Sequence, residues 1–204
     1  MEQIDTYFTI EASSEGLFKD KGSKFIAFAF PIRKEEEVKG IIHKLKKDHH
    51  SARHHCYAWR IGADKKLYRI NDDGEPSGTA GKPIFGQIQS HNLTNILIVV
   101  VRYFGGTLLG VSGLISAYKK ATYDAIENAI IIEKHVEDII EVTFDYSSMN
   151  MIMKLMKDEK LEQIESKFDL SCKIIFAVRQ SSSLRIKEKL EKIEKTEINI
   201  IGER

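Results

Sequence analysis

The chain has 204 residues, 42% of them hydrophobic and 30% charged, with a formal net charge of +1 at pH 7. That composition predicts an ordinary soluble globular protein with enough apolar mass for one large core or two small ones, and it sets intrinsic disorder aside. Near-neutrality also removes any overall electrostatic case for nucleic acid: residues 1–130 carry 18 Lys and Arg against 15 Asp and Glu, and residues 131–204 carry 13 against 15.

The first residues, MEQIDTYFTIEASSEG, lack the basic start and apolar run of a secretory signal. "YFTIEA" (7–12) and "SKFIAFAFPI" (23–32) read as strands around a Gly-containing turn. Residues 34–50 place Val38, Ile41, Ile42 and Leu45 on one stripe of an amphipathic helix. "HCYAWRIG" and "KLYRIND" follow as two strands about a turn at residues 62–65. Beyond the loop "DDGEPSGTAGKPI" (72–84), a short helix runs through "IFGQIQSHN", with Pro83 in its first turn, where a missing N–H does no harm. "NILIVVVRYF" is a nearly continuous apolar strand, the pattern of a strand buried on both faces, and its apolar run is far too short to span a bilayer. Gly105-Gly106 turns the chain into a second amphipathic helix over 112–129, on which Leu114, Ile115, Tyr118, Ala121 and Ala125 recur at helical spacing.

After residue 130 the order becomes strand, helix, strand, strand, helix, strand, a βαββαβ pattern of the ferredoxin-like kind. Met149, Met151, Met153 and Met156 on its first helix are assigned to core packing rather than to a groove, since methionine fills irregular gaps. The expected organisation is therefore two domains, 1–130 and 131–204, in an α+β protein. Cys56 and Cys172 sit singly on strand-like segments, which predicts no disulfide framework and a reducing, cytoplasmic setting.

The loop at 72–84 is the main chemical candidate. It is not a Walker A loop, because Gly81-Lys82 is preceded at the required place by Pro76 and followed by Pro83, and the chain has no G-x-G-x-x-G fingerprint. What it offers is a loop entering a helix, where the amides of Gly78, Thr79, Ala80 and Gly81, with the charge of Lys82, can receive an anion. The competing account is a turn: Gly74 and Gly78 take positive φ while Ser77 or Thr79 caps the helix. Asp72, Asp73 and Glu75 lack calcium-loop spacing, and "HHSARHHC" (49–56) lacks metal-binding pairs, its His54 and Cys56 sharing one strand face while His55 takes the other. No metal, cofactor or catalytic residue is assigned. Arg102, at the end of the buried strand, can meet a carboxylate, phosphate or RNA backbone with Tyr103 or Phe104 stacking on a base, or it can pair with a loop acid such as Asp73. Both readings require residues 72–84 and 102–110 to line one polar recess.

Taken in order, "GSKFIAFAFPI", "HHCYAWRIG", "DDGEPSGTAGKPI" and "VVVRYFGGTLLGVSGLISAYKKAT" resemble the IMPACT family in its bacterial, YigZ-like, two-domain form, over most of residues 16–122. The resemblance implies an N-terminal domain similar to the fourth domain of elongation factor G and a C-terminal domain similar to that factor's ferredoxin-like end. Eukaryotic relatives are translation regulators that restrain a starvation-activated initiation-factor kinase by competing for its activator, through an N-terminal extension this chain does not show. The expected function is a non-catalytic binding protein linked to translation and contacting RNA, the ribosome or a translation factor, with no membrane partner. Its candidate binding residues are Asp73, Gly74, Glu75, Ser77, Gly78, Thr79, Gly81, Lys82, Arg102 and Tyr103. The alternative is a small-molecule enzyme holding phosphate in a groove at 72–84, since fold analogy alone does not fix activity.

Overall fold

A computed structural model describes residues 5–169 and 171–204. In chain order its elements are β1 (Thr6–Ile10), β2 (Ser14–Asp20), β3 (Ser23–Pro31), α1 (Glu35–Asp48), β4 (His54–Ile61), β5 (Leu67–Asn71), α2 (Gly81–Ser90), β6 (Ile96–Tyr103), α3 (Gly110–Glu127) and β7 (Ile131–His135). There follow β8 (Glu137–Phe144), α4 (Met149–Asp158), β9 (Glu162–Lys167), β10 (Cys172–Arg179), α5 (Gln180–Leu190) and β11 (Thr196–Glu203). The chain divides into two units, one spanning Tyr7–Lys134 and the other His135–Arg204 together with Asp5 and Thr6.

In the larger unit β6 is the middle strand of a five-stranded sheet ordered β2-β3-β6-β4-β5, with antiparallel partners on both sides. Alternation along β6 explains its apolar run. Ile96, Ile98 and Val100 join Phe25, Ala27, Cys56 and Ala58 in a core that includes residues of α2 and α3. Leu97, Val99 and Val101 face the other way, with Phe28, Trp59 and Ile61, in a core that includes Val38 and Leu45 of α1. Both faces are covered although every neighbour is antiparallel. β1 pairs with β7 in a separate two-stranded ribbon.

Strand β2 is not among the elements expected from the sequence, where only a turn stands between the first two strands. It is an edge strand, and α3 guards it: Ser14 Oγ donates to the Ala125 carbonyl (2.7 Å), Leu17 N–H to Asp124 Oδ2 (2.8 Å), and Asn128 Nδ2 to the Glu15 carbonyl (2.9 Å). The approach is close enough to require glycine at position 16, where a Cβ would lie 2.2 Å from the Ala125 nitrogen.

The smaller unit runs β8-α4-β9-β10-α5-β11, and its four strands form an antiparallel sheet ordered β11-β8-β10-β9. One face carries Ile140, Val142, Phe144, Ile174, Phe176 and Val178 against Ile152 and Met156 of α4 and Ile186 and Leu190 of α5. Of the four methionines assigned to packing, Met156 is buried and Met149 packs against this core, but Met151 and Met153 are 51% and 41% exposed. Their place on the helix accounts for this: positions 149, 152 and 156 share the inward stripe, and 151 and 153 fall outside it.

Candidate functional site: a cleft beside a self-capped loop

The loop between β5 and α2 begins with a tight reversal. Asp73 and Gly74 both take positive φ (39° and 87°), and the Glu75 N–H donates to the Asp72 carbonyl at 2.9 Å, which is the signature of the type I′ turn that Asp-Gly favours. The reversal brings the Asp72 side chain under the start of α2. Its carboxylate accepts the N–H groups of Gly78 (2.8 Å), Ala80 (3.1 Å) and Gly81 (2.8 Å). Gly81 permits the approach, since a Cβ there would meet the Asn71 nitrogen at 2.9 Å. Burial raises the Asp72 pKa, but the three amides and the charge of Lys82 outweigh it and hold the carboxyl below its ordinary value.

This arrangement answers the anion question at the helix entry: three of the amides that an external anion would need are taken by the chain's own carboxylate. Neither Ser77 nor Thr79 caps α2, contrary to the turn account. Ser77 is exposed, and the Thr79 hydroxyl donates to the Pro76 carbonyl at 2.6 Å. Lys82 is exposed, its Cδ 3.3 Å from where a Cβ on Gly78 would stand. The three loop acids also diverge. Asp73 accepts from Lys46 Nζ (3.1 Å) and from the backbone N–H of His55 (2.7 Å), while Glu75 turns inward.

Arg102 and Glu75 meet in the interior. The sheet register puts Phe25, Arg102 and His54 in one row across β3, β6 and β4. Arg102 Nη1 donates to Glu75 Oε1 at 2.6 Å, with side-chain exposures of 7% and 4%. The Tyr118 hydroxyl donates to the same oxygen at 2.8 Å, and the Cys56 thiol lies 3.3 Å from that hydroxyl. Burial pushes both the Tyr118 hydroxyl and the Cys56 thiol far up in pKa, so both stay protonated. The loop acid that pairs with Arg102 is thus Glu75 and not Asp73. Tyr103, one residue on, points to the opposite face, where its hydroxyl and His49 Nδ1 are 2.8 Å apart.

His54 Nδ1 is 2.9 Å from the Asp73 carbonyl. A carbonyl only accepts, so Nδ1 carries a hydrogen. His55 is buried on the other face, and burial lowers its pKa despite the nearby Asp73 carboxylate.

Around this row lies a cleft of about 370 Å³, bounded by Arg53 and His54, by Glu75 and Pro76, by Arg102 and Phe104, and by residues 108–111 with Leu114. Segments 72–84 and 102–110 do therefore meet in one recess, but its walls are chiefly apolar rather than polar. Of the candidate residues, Glu75 and Arg102 line it; Asp73, Gly74, Ser77, Gly78, Thr79, Gly81, Lys82 and Tyr103 do not. Phe104, read from the sequence as a possible stacking residue, lines it as well, and Arg53, His54, Leu108 and Val111 line it without having been singled out as binding residues by the sequence. The available signal is the pair of leucines after the Gly-Gly turn, because Leu108 is 83% and Val111 59% exposed, although Leu109 is buried. Among the described residues no helix is long and apolar enough to cross a membrane.

Comparison with known proteins places this geometry in context. The model of the Impact N-terminal domain matches residues 21–126, which takes in every residue lining the cleft. The IMPACT family member YvyE of Bacillus subtilis is 34% identical over 157 residues, covering 77% of this chain and 72% of that protein. The IMPACT family member YigZ of Escherichia coli is 44% identical over 100 residues, 48% of this chain and 49% of that protein. A solved crystal structure of a hypothetical protein superposes with a TM-score of 0.74 at 27% identity, covering 98% of this chain and 99% of the other.

Proposed function

This chain belongs to the IMPACT family, and from that premise we propose that it is a non-catalytic cytoplasmic binding protein linked to translation, contacting RNA, the ribosome or a translation factor through the cleft beside Arg102. The family resemblance supports the link to translation, since eukaryotic relatives regulate that process. One observation carries the choice of surface: Phe104, Leu108 and Val111 stand 42%, 83% and 59% exposed at the mouth of one cleft. Apolar side chains gathered at a single concavity mark a recognition site more often than an ordinary surface.

Binding is favoured over turnover because the acids of the loop are already engaged. Glu75 is held by Arg102 and Tyr118, and Asp72 by the helix amides. A phosphate-transferring groove at 72–84 would need those amides free. The strand order of the smaller unit supports a ferredoxin-like assignment for it, and we read the larger unit as akin to the fourth domain of elongation factor G.

The test is co-purification from cell extract with and without ribonuclease, followed by binding of recovered RNA at increasing salt. Association that survives washing at low salt and weakens as salt rises supports the reading. Absence of RNA, ribosomes and translation factors at low salt refutes it.

A further inference from the structure

A second groove in the larger unit, of about 480 Å³, is lined by Phe18 of β2, by Gln87 of α2 and by Lys119, Lys120, Tyr123 and Asp124 of α3. Gln87 is only 6% exposed. Its backbone carbonyl accepts from Ser90 and His91, but its side-chain amide has no hydrogen-bond partner among the described residues. Buried amides are nearly always paired, so this one calls for an explanation. Nor is it sealed in the interior: among the described residues the side-chain atoms both sealed and unpaired are His55 Nε2 and Arg102 Nε. One acceptor and two donors therefore open on the groove that Gln87 lines.

The rest of the lining says what could use them. Lys119 and Lys120 are exposed, and among the described residues neither forms an ion pair; Lys120 Nζ lies 4.9 Å from the centre of the Phe18 ring. Asp124 is the lining's one carboxylate and already accepts the Leu17 N–H, so the groove is locally positive in a nearly neutral chain. Tyr123 is 48% exposed, with the His91 ring tilted against it at 5.7 Å. Two free cations, an exposed aromatic ring and an amide with both donor and acceptor are the parts that hold a nucleotide of a single strand by its phosphate, its base face and its base edge. A peptide carboxylate would satisfy the lysines and leave the ring unused. Position adds a further reason. Val111, Ile115, Lys119 and Tyr123 fall four residues apart on α3 and are all exposed, so one ridge joins the cleft, which Val111 lines, to this groove. At 1.5 Å of rise per residue the ends of that ridge stand about 18 Å apart, within reach of one short strand.

We propose that the groove on α3 is a contact for single-stranded RNA, with phosphate on Lys119 and Lys120, a base stacked on Tyr123 and that base's edge on the Gln87 amide. Every RNA base presents a donor beside an acceptor on its pairing edge, and an amide matches either order by a half-turn, so the contact tolerates sequence. This rests on the RNA-binding reading above and carries the bound strand beyond the cleft.

The experiment measures fluorescence anisotropy of labelled RNA heptamers, UUUUUUU and CCCCCCC, on the full chain over rising salt, with free UMP and labelled heptaglutamate as further arms. The two heptamers should bind the parent protein within about threefold of each other. Lys119→Ala/Lys120→Ala, at exposed positions, should reduce the slope of log affinity against log salt by about 1.4, at about 0.7 for each phosphate contact on a single strand. Tyr123→Ala should weaken binding about tenfold through lost stacking. Gln87→Met should weaken it about fivefold without lowering the melting temperature, because the amide it removes has no partner in the protein. Affinity and salt slope unchanged in the lysine and tyrosine variants overturn the groove while leaving RNA binding through the cleft standing. No binding of either heptamer at low salt overturns both. UMP bound as tightly as the heptamers overturns a strand as the occupant, and heptaglutamate binding that needs the lysines, without heptamer binding, overturns RNA.

Discussion

Asp72 is the residue on which the loop's architecture depends, and replacing it separates a structural cap from an anion site. Asp72→Ala removes the acceptor for three backbone N–H groups at the entry to α2. Loss of an ordinary N-cap costs roughly 0.5–2 kcal/mol, and hydrogen bonds to a charged group are worth roughly 1.5–3 kcal/mol each without being additive. A half-buried carboxylate serving three amides should therefore cost about 3 kcal/mol when removed. Asp72→Asn keeps one oxygen, enough for Ala80 and Gly81, but can turn an NH₂ toward the Gly78 N–H, so its cost should be about 2 kcal/mol. The folded pKa of Asp72 lies below the ordinary 3.8, so the stability it contributes is complete above the unfolded value and is lost as pH falls through the folded one. The deficit of Asp72→Ala relative to the parent should accordingly be full at pH 7 and shrink below about pH 4. Urea unfolding followed by circular dichroism at both pH values provides the measurement. A deficit under about 0.5 kcal/mol at pH 7, or phosphate stabilising the parent but not Lys82→Ala, would refute the self-capped loop.

Other substitutions test the interior. Arg102→Met should cost about 3–5 kcal/mol by leaving Glu75 buried and unpaired, and Glu75→Gln/Arg102→Met should recover most of that, because the amide oxygen introduced by Glu75→Gln still accepts from Tyr118; equal losses in urea unfolding would count against a buried ion pair. Gly16→Val should destabilise by at least about 2 kcal/mol, since its side chain collides with α3 backbone rather than with a movable side chain. Gly40→Ala, in α1 with no heavy atom within 4 Å of the added Cβ, should instead stabilise by about 0.5–1 kcal/mol. A thermal-melt series in which both glycine changes move the midpoint the same way would undo this contrast.

How much is legible in the sequence depends on how far away the determining contacts lie. β6 can be read because an apolar run with no polar face needs cover on both sides, whatever provides it. The placing of His54 and His55 on opposite faces follows from strand alternation alone. β2 cannot be read: "SEGLFKD" is polar and carries a glycine, and what holds it in place is a helix more than 100 residues away, where Asp124 and Asn128 bind its backbone and the Ala125 carbonyl accepts from the Ser14 hydroxyl. Met151 and Met153 are misplaced when judged by residue type, although their helical phase already sets them outside the buried stripe.

At the cleft the same division holds, and it bears on function. Asp-Gly at 73–74 announces a tight turn, but only the fold shows that the turn carries Glu75 inward to Arg102 and leaves Asp73 outside with Lys46. Sequence reasoning counts every polar residue of the loop as available to a ligand, although a folded loop must first satisfy its own backbone. Asp72, Asp73 and Thr79 do that, and Glu75 balances Arg102, so most of the polar chemistry that draws attention to residues 72–84 is directed into the protein itself. Recognition then falls to the groups left exposed around the cleft, chiefly the faces of Phe104, Leu108 and Val111.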